Sequence, residues 1–137
     1  MPTIIGRLLD SKGFALLARI ILTFPFWASG LAKSIDFEGG VAEMAHFGLH
    51  PPTAYNIATI ICQLGGSLLV ILNRYTWLGA GALAAFTALT IPIAHAFWTV
   101  TGEQAQTELF FVVEHIGLIG GLMLVSILSR QTLRGGA

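Results

Sequence analysis

Four long runs of apolar residues divide the chain, and short polar segments separate them. The runs cover residues 13–32, 55–72, 77–98 and 109–128. Each is about 20 residues long, the length at which an α-helix crosses the hydrocarbon core of a bilayer. The pattern therefore predicts four transmembrane helices.

The longest polar segment separates the first two runs. Apolar residues recur in it at near-helical spacing, namely Phe37, Val41, Met44 and Ala45. This spacing predicts a short amphipathic helix lying on the membrane surface. Proline cannot continue a helix, so we expect this helix to end before Pro51 and Pro52. Residues 99–108 are also polar and are expected to form the connection between the third and fourth spans.

Composition supports a membrane protein and excludes several other classes. Hydrophobic residues make up 55% of the 137 residues and charged residues only 10%, against about a quarter charged in soluble domains. The length gives room for one integral membrane domain over residues 1–137. A formal net charge of zero gives no support for nucleic-acid binding. The single cysteine, Cys62, excludes an internal disulfide and any CxxC motif.

The basic residues predict how the helices cross the membrane. One side of a four-span layout carries most of them, namely Arg7, Lys12, Arg74, Arg130 and Arg134, and the other side carries only Lys33. By the positive-inside rule, both termini are cytoplasmic. We therefore expect an all-α membrane protein, a four-transmembrane-helix bundle with its amphipathic segment on the outer side.

Every predicted span carries a polar group in its outer half. These groups are Lys33, Gln63, His95 and the adjacent pair Glu114 and His115. From the helical rise, Lys33 and His95 lie near the outer face, and the others lie about 8–12 Å below it. An unpaired charge facing lipid costs several kcal/mol, so such residues almost always turn inward. The pattern predicts one polar pocket shared by all four helices.

Helical periodicity indicates which faces point inward. In the fourth span, Glu114, Gly117 and Gly121 fall on one face, and the glycines would let a neighbouring backbone approach closely. The second span carries its polar stripe on Asn56, Thr59, Gln63 and Gly66. Arg19 lies about 21 Å deeper than Lys33. It either snorkels to the cytoplasmic interface or joins the inward groups through an intermediate.

Several short motifs along the chain resemble the DoxX family of small bacterial four-helix membrane proteins. They are Arg19, Ser29-Gly30-Leu31-Ala32-Lys33, Gly48-Leu49-His50-Pro51, Gln63-Leu64-Gly65-Gly66, His95-Ala96-Phe97-Trp98, and Glu114 followed by Leu118-Ile119-Gly120-Gly121-Leu122. The resemblance implies a multi-pass protein of the bacterial inner membrane. It also implies a link to thiosulfate:quinone oxidoreductases and to membrane complexes of thiol and oxidative-stress metabolism.

The leading functional hypothesis is a quinone-associated, redox-linked membrane subunit. A quinone headgroup needs hydrogen-bond donors, and we assign its binding to Lys33, Gln63, His95 and Arg19. Quinone reduction takes up protons, so Glu114, His115 and His95 are the candidate catalytic groups for proton transfer. The sequence has no flavin motif and no CxxC, so a partner in a larger complex would have to supply electrons.

Three alternatives stay open at this point. A compact bundle held by glycines and buried polar groups also fits a non-catalytic structural or assembly subunit of a larger membrane complex, or a homo-oligomer. His95 and His115 on neighbouring helices could ligate haem or a metal, assisted by Glu114 or His46, although no metal-binding spacing motif is present. The third alternative is small-solute transport. A single four-span unit without an inverted repeat is small for a transporter.

Overall fold

The computed structural model describes residues 2–135, and their side chains as far as residue 132. This part of the chain is helical throughout, with no β-strand. Its elements, in order, are α1 (Thr3–Leu9), α2 (Lys12–Ile35), α3 (Phe37–His46), α4 (Pro52–Ile71), α5 (Thr76–Ala94), a 3₁₀ turn (Phe97–Thr99) and α6 (Gly102–Gly135).

Four of these helices, α2, α4, α5 and α6, are long and apolar enough to cross a membrane. This confirms the predicted four-transmembrane-helix, all-α fold. Helix α4 packs between α2 and α5, α6 packs against α5, and α6 touches α2 at only a few residues. We call the end of the bundle that carries α3 the α3 end. The opposite end, where α2 begins and α6 finishes, is the terminal end.

The predicted amphipathic helix between the first two spans is confirmed as α3. Asp36 ends α2 and also caps α3, since its carboxylate accepts a hydrogen bond of 3.0 Å from the Gly39 N–H. Helix α3 buries Met44 and Gly40. Asn56 of α4 donates from its side-chain amide to the Phe37 carbonyl at 3.3 Å. Helix α3 is therefore docked on the first turn of α4.

Two helix boundaries differ from those expected. Helix α5 ends at Ala94 instead of continuing to residue 98, because Pro92 weakens its last turn and His95 leaves the helical conformation (φ −125°, ψ 37°). Helix α6 begins at Gly102, so most of the expected connection 99–108 is helical. An acidic residue in its first turn, Glu103, favours this early start. Glu108 consequently lies inside α6.

Small residues bring α4 and α5 into close contact in the half of the bundle towards the terminal end. A Cβ atom on Gly79 would lie 2.6 Å from the Gly66 carbonyl oxygen, and one on Gly66 would lie 2.8 Å from Cγ of Leu83. The core beside this crossing consists of Phe26, Val70, Ala80, Leu83 and Leu122. The two helix backbones therefore touch directly at one level of the bundle.

Two of the buried hydroxyl groups on the transmembrane helices are satisfied within their own helix. Thr23 donates to the Arg19 carbonyl and Thr87 to the Leu83 carbonyl, both at 2.7 Å. Such bonds let polar residues occupy the bundle interior without a partner on another helix. Among the described residues, the buried polar atoms left without a partner are Oδ1 of Asn56, Oε1 of Gln63, Oγ of Ser67 and Nδ1 of His115.

Candidate functional site

A cavity of about 590 Å³ lies between the helices in the half of the bundle towards the α3 end. Residues of all four spans and of α3 line it, and its walls are mainly apolar, including Phe26, Met44, Phe86 and Leu118. This volume lies in the range typical of sites for small molecules. The cavity is the strongest candidate for a binding site in the described part of the chain.

Four of the predicted site residues line this cavity together: Lys33, Gln63, His95 and His115. Each comes from a different spanning helix or its end. Arg19 does not line the cavity; it is partly buried in α2, several turns towards the terminal end. The structure therefore brings four of the six predicted residues to one place.

Glu114 does not belong to this group, and the expectation that it points inward is wrong. Its side chain is exposed on the outer surface of α6, as is Gly117. The inward positions of α6 are instead Val112, His115 and Leu122. Successive helical residues point about 100° apart, so turning His115 into the cavity turns Glu114 out of it. The apolar residues of α6 surround the helix, so hydropathy alone left its rotation undetermined.

His95 has a carboxylate partner that the sequence reasoning missed. Nδ1 of His95 lies 2.7 Å from Oε2 of Glu108, and both side chains are about four-fifths buried. The His95 ring also packs against Phe111, and it meets the His115 ring edge to face with their centroids 4.8 Å apart. Glu108, His95 and His115 therefore follow one another from the α3 end into the cavity, with a hydrogen bond between the first two and a ring contact between the last two.

A signal for Glu108 was present in the sequence. Glu108 precedes Val112 and His115 by one and two helical turns, so the three share a face once α6 is extended towards its N-terminus. The expectation that residues 99–108 form a connection concealed this pattern.

Lys33 is also paired with a residue outside the predicted set. Its Nζ lies 2.7 Å from Oε2 of Glu43 on α3 and donates to the Ser29 hydroxyl at 3.3 Å. The Lys33 side chain is 13% exposed and that of Glu43 is 44% exposed. A pair this close to solvent adds little to stability. Its effect is positional, since it holds the ammonium group at the cavity wall and ties α3 to α2.

Gln63 presents an unsatisfied polar atom to the cavity. The residue is only 5% exposed, and its Oε1 has no hydrogen-bond partner among the described residues. Nδ1 of His115 is likewise buried and unpartnered within that part of the chain. Leaving such a group unpaired costs about 1–3 kcal/mol. These two groups are therefore the ones that a ligand in the cavity would satisfy.

The side chains do not form a ready metal centre. Over the described residues, no group of three or more His, Cys, Asp or Glu side chains is arranged to hold a metal ion. Nδ1 of His95 points towards Glu108, and its ring contacts the His115 ring. The planes of the two imidazole rings are inclined at 73° to each other. The haem or metal alternative accordingly gains no support from this geometry.

The His95–Glu108 contact is expected to appear as a coupling energy in a double-mutant cycle. Replacing His95 by Gln, Glu108 by Gln, and both together should give a coupling of about 1–2 kcal/mol in the free energy of unfolding, because a partly buried charged hydrogen bond is removed. The measurement is denaturant unfolding of the four proteins in mixed micelles. Strictly additive effects would show that the two side chains do not interact.

Comparison with known proteins gives two matches. A model of the DoxX family matches residues 14–96, more than half of the chain. The inner membrane protein YphA of Escherichia coli (strain K12) is 26% identical over 112 residues, which cover 82% of this chain and 80% of YphA. No solved structure matches the chain.

Proposed function

Because the chain belongs to the DoxX family and is a multi-pass inner-membrane protein, we propose that it binds the headgroup of a lipid-soluble quinone and acts as a redox-linked membrane subunit. One observation carries the proposal: a mainly apolar cavity holds buried hydrogen-bonding groups without partners on Gln63 and His115. Convergent polar groups within an apolar pocket are typical of small-molecule sites.

The proposed ligand matches the chemistry of the cavity walls. A quinone ring is flat, and its two faces are apolar. The apolar side chains of Phe26, Phe86 and Leu118 line the cavity and can pack against those faces. The two carbonyl oxygens of the quinone accept hydrogen bonds. The Gln63 amide, the His115 imidazole and the Lys33 ammonium group are donors that line the same cavity.

Glu108, His95 and His115 would supply a route for protons if the ligand or a water bridged the two imidazole rings, which meet edge to face. An imidazole can both accept and donate a proton at its two ring nitrogens. With the orientation given by the positive-inside rule, the α3 end faces the outer side of the membrane. Protons taken up or released at the ligand would then exchange with that side. Electrons would come from a partner subunit, because the sequence has no flavin motif and no CxxC.

The alternative of a structural or assembly subunit is favoured by a different observation. Glu114 is exposed on a face of α6 that lies at hydrocarbon depth. A carboxylate facing acyl chains is costly, so in the membrane this face would be covered by a helix of another subunit or of a second copy. The two proposals are compatible, since Glu114 points about 100° away from His115 and does not line the cavity.

The proposed ligand can be tested by extraction. The protein would be purified from its own membranes in a mild detergent and its lipids extracted into organic solvent. We expect about one quinone per chain, well above the quinone content of an unrelated four-span protein from the same membranes. Reconstitution with added quinone should then give saturable binding. Absence of both retained and saturable quinone would refute the proposal.

A further inference from the structure

The cavity opens sideways, and most of its opening lies between α4 and α5. Six exposed lining residues come from these two helices: Tyr55 and Ala58 on α4, and Ala82, Ala85, Leu89 and Ile93 on α5. Residues that are both exposed and part of the lining form the rim of an opening. We call this opening the α4–α5 slot.

The local sequence explains why the two helices part there. At the Gly66–Gly79 crossing the two backbones touch. Nearer the α3 end, the Cys62 thiol approaches the Ala82 carbonyl at 3.7 Å, a long and weak contact. Beyond it, the short side chains of Ala58 and Ala85 do not bridge the gap. The slot is therefore a consequence of one tight crossing followed by small residues.

The depth of the slot decides what can occupy it. Ala82 and Leu89 lie about 9 and 20 Å along α5 from Thr76, in the middle of a span whose length matches the hydrocarbon layer. At this depth the slot faces acyl chains. Its rim is apolar apart from the Tyr55 hydroxyl, so it suits a hydrocarbon chain.

From this geometry we infer that the α4–α5 slot is a subsite for the single apolar tail of the ligand whose headgroup occupies the cavity. The ligand is thus an amphiphile that enters from the bilayer. Its tail passes between Ala58 and Ala85, and its headgroup reaches the Gln63 side chain, whose amide N–H can donate to a quinone carbonyl oxygen. The inference rests on the proposed function, since it takes the isoprenoid chain of a quinone as the tail.

Blocking the slot should separate tail binding from headgroup binding. Ala85→Trp and Ala58→Trp each place a large side chain on one rim. Ala88→Trp is the matched control, because Ala88 is exposed on α5 and does not line the cavity. The probes are a tailless benzoquinone and the same ring carrying a long isoprenoid chain. Their binding would be measured by equilibrium titration of the protein in phospholipid nanodiscs.

We expect both rim variants to weaken binding of the long-chain quinone by at least about fivefold and to leave the tailless quinone within about twofold, whereas Ala88→Trp alters neither. If the wild-type chain binds the long-chain quinone and both rim variants bind it equally well, the α4–α5 slot is not the tail subsite, but the proposed function stands. If the wild-type chain shows no saturable binding of either quinone, both the proposed function and the tail subsite are refuted. Since two variants on different helices are compared, misfolding of one leaves the other as the test.

Discussion

Gly79→Ala is expected to lower the free energy of unfolding of the bundle by about 2 kcal/mol or more. The added methyl carbon would lie 2.6 Å from the Gly66 carbonyl oxygen and 2.8 Å from Cβ of Leu69. Both atoms are fixed to the neighbouring helix, so α4 and α5 must move apart, and overpacking of this kind costs about 1–3 kcal/mol. The measurement is denaturant unfolding in mixed micelles.

Gly81→Ala on the same helix is the matched control. A Cβ atom at Gly81 meets nothing within 4 Å, and alanine is favoured over glycine in a helix by about 1 kcal/mol. The control should therefore be neutral or slightly stabilising. If both substitutions change stability equally, the direct contact of the α4 and α5 backbones at Gly66 and Gly79 does not exist.

His115→Leu is expected to weaken quinone binding by about two- to tenfold. His115 lines the cavity and carries a buried nitrogen without a partner among the described residues. Leucine fills a similar space but cannot donate a hydrogen bond to a carbonyl oxygen, and the loss of one such bond costs about 0.5–1.5 kcal/mol. Titration with quinone in nanodiscs measures the change.

Glu114→Leu provides the neighbouring control for this experiment. Glu114 is adjacent to His115 in the chain, and its side chain points away from the cavity. Quinone affinity should therefore be unchanged in this variant. The assignment of the cavity as the binding site fails if Glu114→Leu weakens binding as much as His115→Leu does.

Hydropathy was sufficient to predict the architecture, because its signals are strong. Runs of about 20 apolar residues have few alternatives to a transmembrane helix. The spacing of Phe37, Val41 and Met44 was likewise sufficient to predict α3. In α4, the polar stripe of Asn56, Thr59 and Gln63 is buried as expected, since its other faces are apolar.

The rotation and start of α6 could not be predicted in the same way. Its side chains are apolar around the whole helix, so the choice between Glu114 and His115 as the inward residue rested on the glycines alone. The prediction is wrong for Glu114 and Gly117, which are exposed, whereas Gly121 does approach a neighbouring helix, since a Cβ atom there would lie 2.8 Å from Cδ1 of Leu22. The carboxylate partners of two partly buried bases, Glu108 for His95 and Glu43 for Lys33, come from segments expected to lie outside the spans. Pairings between separate elements are set by how those elements dock, which local patterns do not determine.

The most direct test of the account is photoaffinity labelling with an azido-quinone. The purified protein would be irradiated with the probe in nanodiscs, digested, and mapped by mass spectrometry, with unlabelled quinone as competitor. We predict competable labelling on cavity-lining residues of α4, α5 and α6, such as Gln63, Phe86 and Leu118. Labelling that resists competition, or that falls only on lipid-facing residues such as Ile116 and Leu124, would contradict a quinone site within this bundle.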